Sequence, residues 1–163
     1  MSGPTPFGLS KLFSQLMGRK VAFSQTTAAP DTKIKQIFAI YKVLPDGIAI
    51  IVKADLRLVG SFAGILVGLP DSAVKEHIGV TPVEELLRDA IYEVLNIASA
   101  AVATEGRAIL IKMVTDPAYI DGNAGKVFKK PDHRSYFNVL IDGYQGGKFT
   151  ILSQLAPART ITA

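Results

Sequence analysis

The sequence predicts an α+β fold in which two or three helices pack on a largely antiparallel β-sheet. Three observations lead to this class: β-rich runs joined by tight turns, two apolar patterns at helical spacing, and no repeat or linker that would divide the 163 residues. Apolar residues make up 48% and charged residues 20% of the chain, as is typical of a globular protein. We expect one domain over residues 1–163, with flexible ends at 1–7 and 157–163.

The chain is predicted to begin with a short amphipathic helix and a loop. The helix is indicated by apolar residues at spacings of three and four: Leu9, Leu12, Phe13, Leu16 and Met17. Gly18 is placed to end it. The segment Ser24–Thr32 is rich in Ser, Thr, Ala and Pro and is therefore predicted to be a loop.

Three β-rich runs follow. Ile34–Leu44 and Ile48–Val52 are separated by Pro45-Asp46-Gly47, and Asp-Gly between such runs predicts a hairpin. Ser61–Leu69 is interpreted as a third strand whose glycines mark bulges or close backbone approaches. A short helix is expected over Ser72–His77.

A long core helix is the clearest predicted element. Thr81 is suited to the N-cap, Pro82 to the first position and Glu84 to a capping box. One apolar face then recurs at helical spacing through Val83, Leu87, Ala90, Ile91, Val94, Ile97 and Ala98. Alanines continue the pattern to Ala103, and Gly106 is expected to stop it.

The remaining chain is predicted to be mostly strand. Ala108–Val114 is one strand, and Tyr136–Asp142 with Lys148–Leu155 forms a hairpin joined through the glycines between them. Gly122, Gly125 and Lys126 lack the GxxxxGK[ST] pattern of a phosphate loop and are interpreted as a turn.

Three polar residues on the long helix are the candidate site. At about 100° per residue, Asp89, Glu93 and Asn96 fall within an arc of about 60°, which we expect to border the apolar face at the rim of the core. A carboxylate there can accept hydrogen bonds from a cation, and a carboxamide can orient a water molecule. The same pattern also occurs on exposed helices, where it only keeps the surface soluble.

The string DAIYEVLN (89–96) resembles the signature helix of the CheC/CheX family of chemotaxis phosphatases. That family has an acidic or Ser residue, a Glu four residues later and an Asn three further on. Its pattern also places a proline after a strand, a position that Pro117 fills at slightly shorter spacing. VGSFAGILVGLP (59–70) and YFNVLIDGYQGGKFTILSQL (136–155) are similar to the family's glycine-containing strand ahead of the short helix and to its closing hairpin.

The resemblance implies hydrolysis of the phosphoaspartate on a CheY-type response-regulator receiver domain. Asn96 would orient the attacking water, Glu93 would pair with a receiver lysine, and Asp89 and Pro117 would contact the partner. The Mg²⁺ would belong to the receiver, and this chain would bind no cofactor. The first helix, LSKLFSQLMG, lacks the second Glu–Asn pair of CheC-like members, so the single-site, CheX-like type is expected, with its homodimer.

Two other functions fit the same sequence. The domain would serve as a non-catalytic CheC-like module that binds a receiver domain or another signalling protein. It would alternatively be a structural protein that dimerises through an exposed strand edge. Neither the response regulator nor its pathway is predicted by the sequence.

Composition excludes several classes. The chain has no cysteine, which removes disulfides and thiolate metal sites, and His77 and His133 have no partner at metal spacing. The net charge of +4 is scattered, and its densest group, Lys126 to Arg134, lacks an aromatic stacking ladder, so we expect no nucleic-acid partner. No apolar run is long enough for a membrane span and the N-terminus does not resemble a secretory signal, so we expect a cytoplasmic protein.

Overall fold

One six-stranded antiparallel sheet organises the molecule. The computed structural model describes residues 4–31, 33–79 and 85–155. The strands are β1 Val21–Thr26, β2 Gln36–Leu44, β3 Ile48–Asp55, β4 Arg107–Val114, β5 His133–Ile141 and β6 Tyr144–Ser153. They lie in the order β1-β5-β6-β3-β2-β4, and every neighbouring pair is antiparallel. β1 and β4 are therefore the edge strands.

Helices cover the two faces of this sheet unequally. They are α1 Pro6–Met17, α2 Leu56–Val67, α3 Asp71–Ile78, α4 Glu85–Val102 and α5 Gly122–Lys129, with a 3-10 helix at Pro117–Tyr119. α1, α2 and α4 contribute to one core with the sheet, and α3 packs on α2. α5 packs on the opposite face. The predicted α+β class is confirmed, whereas a helix on the second face was not expected.

The main core lies between the sheet and α1, α2 and α4, and it is rich in aromatic residues. Phe13 of α1 stacks on Phe62 of α2 with ring centroids 4.7 Å apart. Phe23 and Phe149 of the sheet meet the same cluster at centroid distances of 5.2 and 6.2 Å from Phe13. Phe62 is fully buried, as a packing role requires.

α1 begins and ends where its sequence indicates. The Thr5 side chain accepts a hydrogen bond from the Gly8 amide at 3.0 Å, so it caps the first turn. Gly18 ends the helix with φ of 64°, and its amide donates to the Ser14 carbonyl. The flexibility expected of both chain ends falls largely on residues outside the described ranges, although Pro6 and Phe7 form the first turn of α1.

Both predicted hairpins are confirmed. β2 and β3 pair from Val43↔Ile48 outward around the Pro45-Asp46-Gly47 turn. β5 and β6 are joined by a two-residue turn at Asp142-Gly143, whose glycine has φ of 79°. The other two glycines expected in that connection lie within β6. β4 and α3 also form where they were expected.

The predicted strand at Ser61–Leu69 is wrong, because these residues belong to α2 and the turn that follows it. The glycines recur every four residues and so share one helical face. A Cβ at Gly60 would lie 2.8 Å from Ile78 Cγ2, and one at Gly64 would overlap the Val74 side chain. The glycines therefore allow α3 to approach α2. A short apolar run has no period that separates a buried helix from a buried strand.

Two predicted irregular segments contain regular structure. The first residues of Ser24–Thr32 extend β1 to Thr26, because they pair with β5 up to Tyr136. The expected turn at Gly122–Lys126 is part of α5. Gly125 is required there, since a Cβ would lie 2.8 Å from the Ile120 carbonyl oxygen. Tertiary packing outweighed the local preference of both segments.

The long helix forms as α4. Its expected N-terminal signals, Thr81, Pro82 and Glu84, lie outside the described residues. It ends at Val102, four residues before the expected stop at Gly106. Gly106 instead has φ of 77° in the connection to β4, where a side chain would overlap the Leu44 carbonyl oxygen.

Candidate partner-binding site on helix α4

α4 is held between α2 and the edge strand β4, and its buried face is apolar. The hydroxyl of Tyr41, on β2, reaches this face and donates a hydrogen bond to the Leu95 carbonyl at 2.5 Å. Burial, with a smaller contribution from Tyr92, raises the pKa of Tyr41 above its ordinary value of 10.0. The core thus fixes the rotation of α4 and decides which side chains face solvent.

Asp89, Glu93 and Asn96 are all exposed. They lie almost opposite the buried face that centres on Ile91 and Ala98, so the expected position at the rim of the core is wrong. Within the described part of the chain, none of the three side chains makes a hydrogen bond or ion pair with another residue. Their polar atoms are available to a partner.

The three side chains are close enough to act on one partner surface. At a rise of 1.5 Å per residue, Glu93 lies about 6 Å along the axis from Asp89 and about 4.5 Å from Asn96. Residues three and four apart on a helix are neighbours on its surface. The structure therefore brings these residues together as one polar stripe.

A shallow groove runs beside this stripe, between α4 and β4. It is lined by Arg88, Asp89 and Tyr92 of α4 and by Ile111, Lys112 and Met113 of β4. The β2–β4 register shifts here: Ile40 pairs with Lys112 and Tyr41 with Leu110, so Ile111 is left without a partner. Bulges at sheet edges commonly redirect a side chain, and Ile111 is 53% exposed.

Sequence reasoning did not find this groove. Tyr92 is 41% exposed beside the stripe. Ala108–Val114 is apolar except for Lys112, so the pattern does not show which of its apolar residues face outward. Only the position of β4 at the sheet edge leaves Ile109 and Ile111 exposed.

Pro117 lies on a different element from the other candidate residues. It is the exposed first residue of the 3-10 helix, where the Asp116 side chain accepts a hydrogen bond from the Ala118 amide at 2.9 Å. β4 runs back along α4 after a short connection. Its C-terminal end, with Pro117 beyond it, therefore lies towards the Asp89 end of the stripe rather than the Asn96 end.

The described residues include no group of three or more His, Asp or Glu side chains able to hold a metal ion. His133 begins β5 at an exposed position, and His77 lies in α3. No helix in the described ranges has both the length and the apolar character needed to cross a bilayer.

Comparison with known proteins gives similarity of structure only. No protein-family model and no curated protein matches the sequence. A chain of the crystal structure of the FliM–SpeE complex from H. pylori is similar with a TM-score of 0.63 at 10% identity, over 91% of this chain and 81% of that one. The FliM middle domain from H. pylori is similar with a TM-score of 0.53 at 13% identity, over 91% and 84%.

These similarities show that the chain shares its fold with the FliM middle domain. The CheX–CheY–BeF3–Mg²⁺ complex from Borrelia burgdorferi also contains a similar chain, at 11% identity over 90% of this chain and 92% of that one. Its TM-score is 0.43, which is too low to assign this chain to the CheX-like type. The comparisons thus show the fold alone, and membership of the CheC/CheX family and the CheX-like type stay predictions.

Proposed function

We propose that this chain is a cytoplasmic chemotaxis-type signalling domain that docks a phosphorylated receiver domain on α4 and hydrolyses its phosphoaspartate. The observation that carries the proposal is the stripe of Asp89, Glu93 and Asn96, exposed and without partners in the described structure, beside an open edge strand. A stripe that only kept the surface soluble would need no particular order of polar residues. The order found here, two acidic residues and then an amide, is the one in the signature helix of the CheC/CheX family.

The reaction requires little covalent chemistry from the protein, because an acyl phosphate is already reactive. Catalysis consists mostly of positioning the attacking water and the phosphoryl group. The Asn96 carboxamide, which both donates and accepts, holds a water molecule in line with phosphorus. Glu93 pairs with a lysine of the receiver and sets the docking geometry. Asp89 and Pro117 contact the partner, and the Mg²⁺ is held by the receiver.

The groove supports docking of a protein rather than a small molecule. It is shallow, and it places the apolar Tyr92 and Ile111 next to the charged Arg88 and Asp89. Exposed aromatic and apolar groups with a polar rim are typical of protein interfaces. The receiver would therefore cover the α4–β4 edge and bring its phosphoaspartate to Asn96.

A non-catalytic binding module is the second candidate, and the similarity to FliM favours it. Structures with the higher TM-scores come from the FliM middle domain and from a complex of FliM with SpeE, which is a protein partner. On this alternative the same stripe binds a receiver or another signalling protein without hydrolysis. Homodimerisation through the open edge of β4 would compete for the same groove.

The test is phosphate release from a phosphorylated receiver domain, with wild type compared with Asn96→Ala and Glu93→Ala. We expect wild type to accelerate release. Asn96→Ala should lower the rate about 100-fold at saturating protein, because misplacing the water removes a positioning effect. Glu93→Ala should weaken docking about 10- to 100-fold, as expected for a lost charge-assisted hydrogen bond.

Glu76→Ala is the matched control, because it removes an exposed carboxylate from α3, away from the stripe. Sedimentation velocity on the same samples reports the homodimer and the complex. Binding of the receiver without faster release would leave the non-catalytic module. Equal losses in Glu76→Ala and Glu93→Ala would show that general charge, not the stripe, matters.

A further inference from the structure

The face of the sheet opposite α4 carries a second groove. It lies between α5 and residues 29–30, and its floor is formed by β3, β5 and β6. Five of its lining residues carry donor groups or an aromatic ring: Lys53, Phe128, Arg134, Tyr136 and Thr150. No Asp or Glu is among the described residues that line it.

The strand register brings the donor groups together. Lys53 of β3 pairs with Thr150 of β6, and Thr150 pairs with Tyr136 of β5. Paired residues in an antiparallel sheet have Cα atoms about 4.5 to 5.5 Å apart and present their side chains on the same face. Arg134 is two residues before Tyr136 on that face, about 7 Å along the strand. One ammonium, one guanidinium and two hydroxyl groups thus meet over a short span.

Thr150 is the least expected member of this group. It is 2% exposed, and its hydroxyl oxygen is buried without a hydrogen-bond partner in the described structure. Burial of a polar group without a partner is unfavourable, so such groups are uncommon in folded proteins. A ligand in the groove that accepted a hydrogen bond from this hydroxyl would remove the penalty.

The two cations are also available. Neither Lys53 nor Arg134 forms an ion pair or a side-chain hydrogen bond with any residue in the described ranges. Lys53 is only partly exposed, which limits the screening of its charge by solvent. The groove is therefore a concave site with a local charge of about +2 and hydroxyl donors at its floor.

The size of the groove limits the ligand. Its volume is about 230 Å³, below the roughly 300 to 1,000 Å³ of sites for drug-sized molecules. A phosphoryl dianion has the charge and the several acceptor oxygens that two cations and two hydroxyls require, whereas a carboxylate has one charge and two oxygens. Phe128 forms an apolar wall beside the cations.

We propose that this groove binds the phosphoryl group of a small phosphate monoester or of inorganic phosphate, held by Lys53, Arg134 and Thr150. The site does not depend on the function proposed for α4, since the two lie on opposite faces of the sheet. Tyr136 adds a hydroxyl donor, and Phe128 packs against the organic part of an ester.

The test is titration of ¹⁵N-labelled protein with inorganic phosphate at constant ionic strength, followed by amide chemical shifts. We expect saturable shifts in β3, β5 and β6 around Lys53, Arg134 and Thr150. Lys53→Met and Arg134→Met should each weaken binding about 10-fold or more, as for a lost charge-assisted hydrogen bond. Thr150→Val keeps the shape of the side chain, so its weaker binding would report the hydroxyl itself.

Lys129→Met is the matched control, because it removes the same charge from an exposed position on α5 that does not line the groove. Equal weakening by Lys129→Met and Lys53→Met would overturn the proposal, as would shifts that chloride reproduces. Acetate binding as tightly as phosphate would overturn the phosphoryl class. Phosphoserine distinguishes a phosphate monoester from inorganic phosphate as the ligand. If phosphoserine binds more tightly than inorganic phosphate, the ligand is an ester; if it binds equally or more weakly, the ligand is the free ion.

Discussion

The two faces of the sheet are built from the same strands but are covered by helices to different extents. On β3, Val52 and Ala54 face the core under α1, α2 and α4, whereas Ile51 and Lys53 face the side of α5. The first face is covered by three helices and a cluster of phenylalanines. The second has one helix of eight residues over a small apolar cluster, with the groove of Lys53 and Thr150 beside it.

This difference separates stability from binding. Hydrophobic stabilisation grows with the apolar area removed from water, so most of it comes from the first face. The second face and the outer surface of α4 contribute little to the core, and their polar groups remain open to partners. Substitutions on the first face should therefore lower the stability of the fold. Substitutions of polar groups on the second face or on the outer surface of α4 should mainly weaken binding.

The largest expected effect is in the aromatic core. Phe62→Ala should lower the free energy of unfolding by about 3 to 5 kcal/mol, because it leaves a cavity between α1 and α2. Phe128→Ala is the matched change on the second face. It should cost about 1 to 2 kcal/mol, since Phe128 is only partly buried beside Phe38. Urea denaturation followed by circular dichroism measures both, and equal losses would contradict the comparison.

An intermediate effect is expected where α3 packs on α2, outside the main core. Gly64→Ala places a methyl group against Val74, and overpacking of this kind costs about 1 to 3 kcal/mol. The double variant Gly64→Ala with Val74→Ala should lose less than the sum of the two single losses, because the smaller side chain makes room for the new methyl. If the two single losses in free energy of unfolding instead add up to the loss of the double variant, the contact with Val74 is not the reason for glycine at position 64.

The smallest effect concerns the polar contact inside the main core. Tyr41→Phe removes the hydrogen bond to the Leu95 carbonyl and should cost about 1 kcal/mol at neutral pH. Because burial raises the pKa of Tyr41, the folded protein keeps this proton at pH values where the unfolded chain releases it. Stability is therefore lost as pH rises above about 10, the unfolded pKa.

The same pH series provides the check on Tyr41. Tyr41→Phe cannot ionise at this position, so the stability difference between wild type and variant should shrink as pH rises above 10. A difference that stays constant between pH 8 and pH 11 would show that Tyr41 ionises as easily in the folded protein as in the unfolded chain.

Short sequence patterns correctly predicted the elements that depend only on neighbouring residues. The helical spacing of α1, with Gly18 at its end, and the Asp-Gly turn between β2 and β3 are properties of a few neighbouring residues. α2 could not be predicted in this way, because the glycines that suggested a strand are there to admit α3. The strand in Val21–Thr26 depends on pairing with β5, more than 100 residues later.

The candidate site was likewise predicted from the sequence only in part. The helical period alone places Asp89, Glu93 and Asn96 on one side of a helix. Their exposure depends on how the core orients α4. The groove beside them depends on a bulge at Ile111 in β4, a strand at the sheet edge. The second groove was not predicted at all, because Lys53, Arg134 and Thr150 are far apart in the chain.

The sequence by itself determined the α+β class, the two hairpins, the first and the long helix, and the polar stripe on the latter. These follow from periodicity and turn chemistry, which act over about ten residues or fewer. The tertiary structure alone decided that α2 is a helix, which strands lie at the edges and which polar groups meet across the sheet. Those outcomes depend on contacts between distant segments, whose free energy no local pattern contains.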